Sequence, residues 1–258
     1  MIPFYKYHGT GNDFVIIDNR DGQIQLTTAQ VAALCQRRTG IGADGLMLLE
    51  SAQGNDFKMV YYNADGNEST MCGNGGRCIV AFARSLNIVT EKASFLAIDG
   101  VHDAKINPDG TVSLHMQDVP TMEVHDGYTV LNTGSPHYIR WQNSVDNMDV
   151  VSEGRRIRNL PEFGSKGINV NFVAFSGDRL SVRTYERGVE DETLSCGTGV
   201  TAAAIAATCH SLGHYTTHID TPGGQLTVSF QKDTATSARD IVLTGPAVFV
   251  FKGHIHAL

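Results

Sequence analysis

Two cysteines stand in matching sequence contexts that could carry acid/base chemistry. Cys72 lies in NESTMCGNG, which begins at Asn67, and Cys196 lies in DETLSCGTG, which begins at Asp191. The two segments align without a gap, and close to half of the 258-residue chain separates the cysteines. In each segment Cys-Gly-x-Gly opens an apolar or Ala-rich run that is typical of a helix. The repeat predicts two similar halves, each contributing one cysteine to a common cleft.

A thiol at a helix N-terminus lies beside backbone amides and the positive end of the helix dipole, which stabilise the thiolate. The glycines clear side chains from the first turn, so that backbone N–H groups can approach a carboxylate. Inverting an amino-acid α-carbon without a cofactor requires one base on each face of that carbon, because a single base cannot reach both. The pattern therefore predicts a two-base proton exchanger that uses Cys72 and Cys196.

The other cysteines have a simpler interpretation. Cys35, Cys78 and Cys209 lie within helical patterns and are predicted to be small buried core residues. Five cysteines are an odd number in a chain expected to be cytoplasmic, so no structural disulfide framework is predicted. No metal site is expected, because the spacing of Cys and His does not match one. The G-x-G of HGTGND from His8 precedes a strand, which makes it a weak dinucleotide signal.

Composition limits the class of protein and its partners. The chain is 41% apolar and 18% charged, which is enough for a sizeable core in one large or two modest domains. A net charge of −7, with dispersed Lys and Arg, disfavours a nucleic-acid partner. The first residues lack a secretory pattern, and the apolar stretch from Val200 is too short to span a bilayer, so we expect a cytoplasmic protein with no membrane partner.

The elements that must position the cysteines are mostly short strands. Their pattern predicts strands at VIID from Val15, KMVYYN from Lys58, TVSLHMQ from Thr111, NVNFVAF from Asn169 and LSVRTYE from Leu180. Turn signals at NPDG and TPGG predict hairpins in corresponding late parts of the two halves.

Three helices are predicted to interrupt the strands. The first begins with a capping box at Thr27, packs through Val31 and Leu34, and runs to about Arg38. The second begins just after Cys72, carries an apolar face, and stops near Asn87. The third begins just after Cys196 and ends at the glycine stop Leu212-Gly213. Two of the three helices therefore begin at the repeated cysteines.

The chain resembles the diaminopimelate epimerase family over nearly its whole length. The paired segments MCGNGGRC from Met71 and ETLSCGTG from Glu192 are similar to the two signatures of that family. Further similar motifs occur in the family's order: HGTGNDF, GIGADG, NADG, SPH, GINVNF and YERG. The resemblance implies conversion of LL-2,6-diaminopimelate to the meso form, in lysine and peptidoglycan precursor biosynthesis, without pyridoxal phosphate or metal. It also implies a cytoplasmic homodimer.

The resemblance further implies an α/β (α+β) fold with two pseudo-symmetric halves, each a curled mixed or antiparallel sheet around a central helix. We expect an N-terminal half at 1–117 that carries Cys72 and a C-terminal half at 118–249 that carries Cys196. The last residues, about 250–258, are expected to pack back on the N-terminal half.

The resemblance assigns roles to individual residues. Cys72 and Cys196 are the acid/base pair, and family usage makes Cys196 the base for the LL isomer. The residues expected to hold the reactive end of the substrate are Asn12, Gly73, Asn74, Gly197 and Thr198. The residues expected to hold the distal end are Asn63, Asn169 and Arg187 at the carboxylate and Glu186 near the ammonium. His137 and Glu186 resemble residues that adjust the pKa values of the cysteines.

Two positions depart from the family pattern, and two other functions stay open. Some family members have Asn in place of Ser135 and a glutamine near Gly45, so the side chains at these positions are shorter or absent in this chain. A proline or hydroxyproline racemase is the nearest alternative enzyme, although a cyclic imino acid would leave Glu186 and Arg187 without partners. A redox thiol protein is the alternative from another class, and it would work through a disulfide that would inactivate an epimerase.

Overall fold

The computed structural model describes residues 1–208 and 212–256 and shows a mixed α+β protein, as predicted. The described residues contain four α-helices: α1 Thr28–Cys35, α2 Gly73–Ser85, α3 Val150–Arg158 and α4 Gly197–Ala206. The first strands are β1 Ile2–Gly9, β2 Asn12–Asp18, β3 Gly45–Glu50, β4 Phe57–Asn63, β5 Lys92–Ala97, β6 Gly100–Ile106 and β7 Val112–His115. They continue with β8 Met122–His125, β9 Tyr128–Asn132, β10 Pro136–Trp141, β11 Asn169–Ser176, β12 Arg179–Glu186 and β13 Asp191–Thr193. The last are β14 Gly213–Thr221, β15 Gly224–Lys232, β16 Arg239–Gly245 and β17 Val248–Ile255.

The chain divides into two compact units. Unit 1 comprises Met1–Leu114 together with the C-terminal segment from Gly245, and unit 2 comprises His115–Thr244. In unit 1, β17 pairs antiparallel with β1, so that the end of the chain joins the first strand. Each unit therefore contains one of the two repeated cysteines.

The strands of the two units pair in the same order. In unit 1, β1–β2 is antiparallel, β2–β3 parallel, β3–β4 antiparallel, β4–β5 parallel, and β5–β6 and β6–β7 antiparallel. In unit 2 the same series runs through β9–β10, β10–β11, β11–β12, β12–β14, β14–β15 and β15–β16. Parallel neighbours need a crossover connection, and α1, α2, α3 and α4 lie in the four crossovers. The cysteine repeat thus belongs to a repeat of the whole topology.

The predicted strands and hairpins agree with the structure, and the helices agree at their starts. The capping box of α1 is present, since Thr27 Oγ1 accepts from the Gln30 N–H at 3.3 Å and Gln30 Oε1 accepts from the Thr27 N–H at 2.8 Å. However, α1 ends at Cys35, before the expected Arg38, because Gln36 is extended with ψ at 122°. Helix α2 ends close to Asn87, as predicted, and that residue has the left-handed φ of 57°.

Helix α4 ends at Ala206, which corrects the expected stop at Leu212-Gly213. Cys209 lies outside the described residues. The sequence pattern does not predict α3, because Gly154 interrupts it and three arginines fill its last turn. Two features could have predicted α3. Asp149 is its N-cap and accepts from the Ser152 N–H at 3.0 Å, and Val150 and Ile157 are buried.

Each cysteine helix is enclosed by the sheet of its own unit. Helix α2 packs against β1, β2, β3 and β6, and α4 packs against β9 to β12, β14 and β15. Both helices are buried over almost their whole length, including the first residues Gly73 and Gly197. No helix within the described residues is long and apolar enough to cross a membrane. The sheets therefore fix where the two helix starts lie within their units.

Candidate active site

Cys72 and Cys196 are the N-cap residues of α2 and α4. The side chain of Thr27 caps α1 and that of Asp149 caps α3. Among the described residues, no side chain forms a capping hydrogen bond at the start of α2 or α4. The first N–H groups of a helix have no carbonyl partner within the helix. Since no side chain caps them, the first turns of α2 and α4 are suited to bind an anionic group.

The predicted contacts for the reactive end lie in these two first turns. Gly73 and Asn74 follow Cys72 and are buried, and Gly197 and Thr198 follow Cys196. The first intrahelical bonds reach back to the cysteine carbonyls, at 2.7 Å in α2 and 2.9 Å in α4. Each first turn therefore presents its backbone N–H groups beside a sulfur atom.

In unit 1, Asn12 meets the thiol of Cys72. The sulfur donates to Asn12 Oδ1 at 3.6 Å, while Asn12 Nδ2 donates to Asp44 Oδ2 at 2.7 Å. A carboxylate can only accept, so the amide nitrogen must face Asp44 and the amide oxygen must face Cys72. The predicted site residue Asn12 thus offers an acceptor to the sulfur.

A second amide reinforces this orientation. Asn74 Nδ2 donates to Asn12 Oδ1 at 3.2 Å, and Asn74 Oδ1 accepts from Arg77 Nη2 at 2.9 Å. A guanidinium can only donate, so Arg77 fixes the Asn74 amide, which in turn fixes Asn12. The chain of donors runs from Arg77 through Asn74 to Asn12.

Arg77 was not singled out from the sequence, although it lies in the motif MCGNGGRC. Its side chain is completely buried and also donates to the carbonyl of Gly73 at 3.1 Å and to that of Pro246 at 3.4 Å. Burial lowers its pKa from the ordinary value of an arginine. The signal for its role was a cation in the second turn of the helix, directly before the apolar run that begins at Cys78.

In unit 2, Cys196 is linked to His137 through a hydroxyl. Cys196 Sγ lies 3.5 Å from Thr198 Oγ1, which lies 2.9 Å from His137 Nε2. Ser135 Oγ lies 2.9 Å from the same nitrogen and 3.1 Å from the Thr198 hydroxyl. The structure therefore brings the predicted residues His137, Thr198 and Cys196 together.

His137 is completely buried in this network. Burial lowers its pKa to about 3, and the positive charge of Arg187 acts in the same direction. The imidazole is therefore neutral at neutral pH. A neutral ring carries one N–H donor and one acceptor, so it can orient the neighbouring hydroxyls but cannot serve as a local positive charge.

Arg187 begins the turn that follows β12. Its backbone N–H donates to Asn169 Oδ1 at 2.9 Å, and Asn169 Nδ2 donates to Ser135 Oγ and to the carbonyl of Pro136, both at 3.1 Å. Asn169 thus braces Arg187 through its backbone. The carboxylate of Glu186 accepts from the Thr193 hydroxyl at 2.9 Å. Four residues of unit 2 are predicted either to hold the distal end of the substrate or to adjust the pKa values of the cysteines. They lie at the ends of neighbouring strands and are His137, Asn169, Glu186 and Arg187.

Asn63 is exposed at the end of β4, where its carbonyl accepts from the Gly66 N–H in a turn. The departure at Gly45 has a steric reason in the same unit, since a Cβ there would lie 2.6 Å from the Tyr61 ring and 2.7 Å from the Tyr62 carbonyl. A side chain at position 45 therefore requires that both the Tyr61 ring and the backbone at Tyr62 move.

Two of the remaining cysteines behave as predicted. Cys35 and Cys78 are buried and free, and burial raises their pKa values to about 11 and about 12. Neither thiol can ionise at neutral pH, so the core interpretation is confirmed for both. In the described residues, no group of three or more His, Cys, Asp and Glu side chains is arranged to hold a metal ion.

Comparison with known proteins extends these observations. The model of the family described as diaminopimelate epimerase matches residues 4–122 and 129–250. The diaminopimelate epimerase of Flavobacterium psychrophilum is 54% identical over 258 residues, which cover 97% of this chain and 99% of that protein.

Two solved structures share the fold. A phenazine biosynthesis protein of the PhzF family from Bacillus anthracis has a TM-score of 0.76 at 15% identity, with 99% of each chain covered. A probable proline racemase from Agrobacterium radiobacter, with bound carbonate, has a TM-score of 0.71 at 14% identity, covering 99% of this chain and 93% of that one. At these identities the likeness concerns the fold alone, and it confirms the predicted fold class.

Proposed function

The chain belongs to the diaminopimelate epimerase family and is an isomerase that acts on diaminopimelate, and from this premise we propose that Cys72 and Cys196 are its acid/base pair. The predicted activity is confirmed by the family match, which also decides against the proline racemase alternative. In the proposed reaction one thiolate removes the α-proton of the LL isomer and the other thiol protonates the opposite face. The product is meso-diaminopimelate, a precursor for lysine and peptidoglycan.

The observation that carries the proposal is the uncapped helix start at each cysteine. The α-proton of an amino acid is very weakly acidic, because its removal leaves negative charge on the carbon and the adjoining carboxylate. Backbone N–H groups that already point at this carboxylate stabilise the developing charge without reorganisation. Gly73 and Asn74 would donate from α2, and Gly197 and Thr198 from α4. A thiol at each N-cap then adjoins the carboxylate-binding position.

The hydrogen bonds at the two sulfurs support a division of roles. Asn12 offers an acceptor to Cys72, which favours the protonated thiol, whereas Thr198 has a hydroxyl that can donate to Cys196, which favours the thiolate. We therefore assign Cys196 as the base that deprotonates the LL isomer and Cys72 as the acid that protonates the other face.

The distal end of the substrate carries a second carboxylate and ammonium. Arg187 suits the carboxylate, because its fork of N–H donors matches two carboxylate oxygens. The bond from its backbone N–H to Asn169 supports this role by fixing the turn from which its side chain extends. The proposal keeps Asn63 and Asn169 at the carboxylate and Glu186 near the ammonium, where an acid can pair with a cation.

The test uses reduced protein in deuterium oxide, with LL-diaminopimelate in one tube and L-proline in another. We expect meso product that carries solvent deuterium at the α-carbon, and proline without exchange. Deuterated proline would move the chain to the racemase chemistry. If neither substrate incorporates deuterium in the presence of reductant, the result would support a redox thiol protein instead. Prior treatment with a chelator should leave the rate unchanged, since the proposed chemistry needs no metal or other cofactor.

The proposed assembly is a homodimer. Its support is a row of exposed apolar residues on β17, where Val248, Phe249, Val250 and Phe251 are each between 41% and 51% exposed. Exposed apolar side chains grouped on one strand in this way are common at interfaces between subunits. Sedimentation of the wild type and of Val250→Lys tests it, because a charge in the row should shift a dimer toward monomer.

A further inference from the structure

A buried amide on β11 controls the direction of the hydrogen bonds that reach Cys196. Asn171 is completely buried, and its amide nitrogen lies 3.3 Å from the carbonyl of Tyr138 and 3.0 Å from His137 Nδ1. Its amide oxygen accepts from the Thr184 hydroxyl at 2.9 Å. A carbonyl can only accept, so the Tyr138 carbonyl requires that the NH₂ group of Asn171 face this side.

The same NH₂ group faces Nδ1 of His137, so Nδ1 must be the acceptor nitrogen of the ring. A neutral imidazole carries its one proton on the other nitrogen in that case, so Nε2 is the donor. The donor Nε2 faces the hydroxyls of Ser135 and Thr198 at 2.9 Å each. A Thr198 oxygen that accepts from His137 keeps its own proton for one of two acceptors, Ser135 Oγ at 3.1 Å or Cys196 Sγ at 3.5 Å. Ser135 Oγ already accepts from Asn169 Nδ2 at 3.1 Å, which favours the sulfur as the acceptor.

We infer that Asn171 is a positioning residue that holds His137 as the Nε2–H tautomer and thereby directs the Thr198 hydroxyl proton toward the sulfur of Cys196. The substrate does not contact Asn171 in this scheme. With the opposite tautomer, Nε2 would accept, the Thr198 hydroxyl would donate to the ring, and the Cys196 thiolate would lose a donor. The role given to Cys196 rests on the proposed function, whereas the tautomer of His137 does not.

The packing around Asn171 is consistent with a fixed amide. A Cβ at Gly199 would lie 2.3 Å from Asn171 Oδ1, so the first turn of α4 lies directly against the amide. Besides the imidazole, the charged or titratable groups around this network in unit 2 are Arg187, from the turn after β12, and the thiol of Cys196 on α4. Neither supplies an alternative donor to Nδ1 among the described contacts of that nitrogen.

The first measurement is the ¹⁵N spectrum of the histidine rings in the wild-type protein, in which His137→Gln identifies the signals of His137. We expect the pattern of a neutral ring with the proton on Nε2. A proton on Nδ1, or a charged ring at neutral pH, would overturn the inference without any reference to activity. Because this spectrum needs no substrate, it stays informative even if the proposed function fails in the deuterium test.

The second measurement compares Asn171→Leu with Thr184→Val. The first removes the donor to Nδ1, and the second removes a hydrogen bond of the same amide but leaves that donor. For Asn171→Leu we expect a shifted tautomer, a kcat lower by about 10- to 100-fold with little change in KM, and an acidic limb of the pH profile at higher pH, since a hydrogen bond to a charged group is lost. Thr184→Val should keep the wild-type tautomer and pH profile.

Two results would overturn the inference at this step. One is a shifted tautomer in Asn171→Leu with an unchanged pH profile, which would break the link from His137 to Cys196. The other is an equal loss of kcat in both variants, which would indicate a packing effect. If Asn171→Leu does not fold, the nearly isosteric Asn171→Asp replaces it, because a carboxylate at this position would draw the proton onto Nδ1.

Discussion

The two cysteine helix starts share a backbone arrangement and differ in the side chains at the sulfur. In unit 1 the sulfur of Cys72 donates to an amide oxygen, whose orientation is fixed by Asp44 and, through Asn74, by the buried Arg77. In unit 2 the sulfur of Cys196 faces a hydroxyl, and the polar network behind it runs through a neutral histidine. One surrounding offers an acceptor to the sulfur and the other offers a donor.

The proposed two-base reaction would give this difference a chemical use. Two identical thiols in identical surroundings would have equal pKa values, yet a two-base epimerase needs one sulfur protonated and the other ionised when substrate binds. A helix start stabilises a thiolate at its N-cap, and the two cysteines share this feature. Hydrogen bonds of opposite direction can then separate the two, since an acceptor favours the thiol and a donor favours the thiolate.

The largest expected effect separates the two sulfurs directly. Cys72→Ala and Cys196→Ala should each reduce epimerisation by at least about 10²–10⁴-fold, because a positioned acid or base is lost. In deuterium oxide, Cys72→Ala should still deuterate the LL isomer without inversion, since the Cys196 thiolate can remove and return a proton on one face. Chiral chromatography with NMR detection of the α-position measures both.

The matched control is Cys78→Ala. This thiol lies in the same helix as Cys72, is completely buried, and has a pKa that burial raises to about 12. We expect wild-type epimerisation with a modest loss of stability, because the packing of the sulfur atom is lost. Wild-type turnover by either of the other two variants would end the two-base assignment, and deuteration of the LL isomer by Cys196→Ala alone would reverse the assigned roles.

The fifth residue after each cysteine gives the next contrast. Arg77 and Thr201 both donate to the carbonyl of the first helical residue, Gly73 at 3.1 Å and Gly197 at 2.9 Å. Arg77→Met removes three hydrogen bonds donated by a buried cation, to the carbonyls of Gly73 and Pro246 and to Asn74 Oδ1, so we expect the free energy of unfolding to fall by about 3 kcal/mol. Thr201→Val removes one neutral bond and should cost about 1 kcal/mol. Urea unfolding would contradict the contrast if both variants lost the same amount.

The second glycines of the two Cys-Gly-x-Gly motifs test whether the motif has one purpose. A Cβ at Gly199 would lie 2.3 Å from Asn171 Oδ1, whereas the nearest atom to a Cβ at Gly75 is Met47 Sδ at 3.4 Å. Gly199→Ala should therefore cost about 1–3 kcal/mol through overpacking. Gly75→Ala should be neutral or stabilising by up to about 1 kcal/mol, because alanine favours the helix. Thermal unfolding of the two variants measures this contrast. An equal effect would mean that both glycines are required for their backbone conformation and not for packing against Asn171.

The repeat made the central part of this arrangement predictable from the sequence. Local signals located the helix starts at Cys72 and Cys196, the capping box at Thr27, and the strands with alternating patterns. Helix α3 was not found from its own residues, because Gly154 packs where a Cβ would lie 2.3 Å from Tyr185 and so breaks the apolar pattern. Its position as the counterpart of α1 in the repeated topology was an available signal.

The partners that set the direction of the hydrogen bonds were not predictable. Asn12 and Asp44 meet because Phe14 pairs with Gly45 in the parallel ladder of β2 and β3. Asn171 reaches the ring of His137 because β10 and β11 run parallel, with His137 beside Asn169. These registers join residues that are distant in the chain, and no local pattern encodes them. The sequence therefore predicted candidate residues for the chemistry but not the neighbours that orient them.

The last contrast concerns acid, which should affect the two units in different pH ranges. In unit 1, burial would raise the pKa of Asp13, but hydrogen bonds from Arg37 and Lys6 outweigh it and hold the pKa at about 2. In unit 2, the pKa of His137 is about 3, because of burial and of Arg187. Both groups are more acidic in the folded protein than in the unfolded chain, so both contribute stability at neutral pH that is lost as the pH falls.

The two ranges follow from the unfolded and folded pKa values. The contribution of His137 should be lost from about pH 6.5 down to about pH 3, and that of Asp13 from about pH 4 down to about pH 2. Within each range the unfolded chain binds up to one proton more than the folded protein. The free energy of unfolding therefore falls by up to about 1.4 kcal/mol for each pH unit of acidification. His137→Gln should reduce the pH dependence of the free energy of unfolding in the upper range alone. Asp13→Asn should reduce it in the lower range alone. If Asp13→Asn flattened the upper range instead, the charged cluster of unit 1 would be the first to fail in acid, and the neutral histidine of unit 2 would not limit stability.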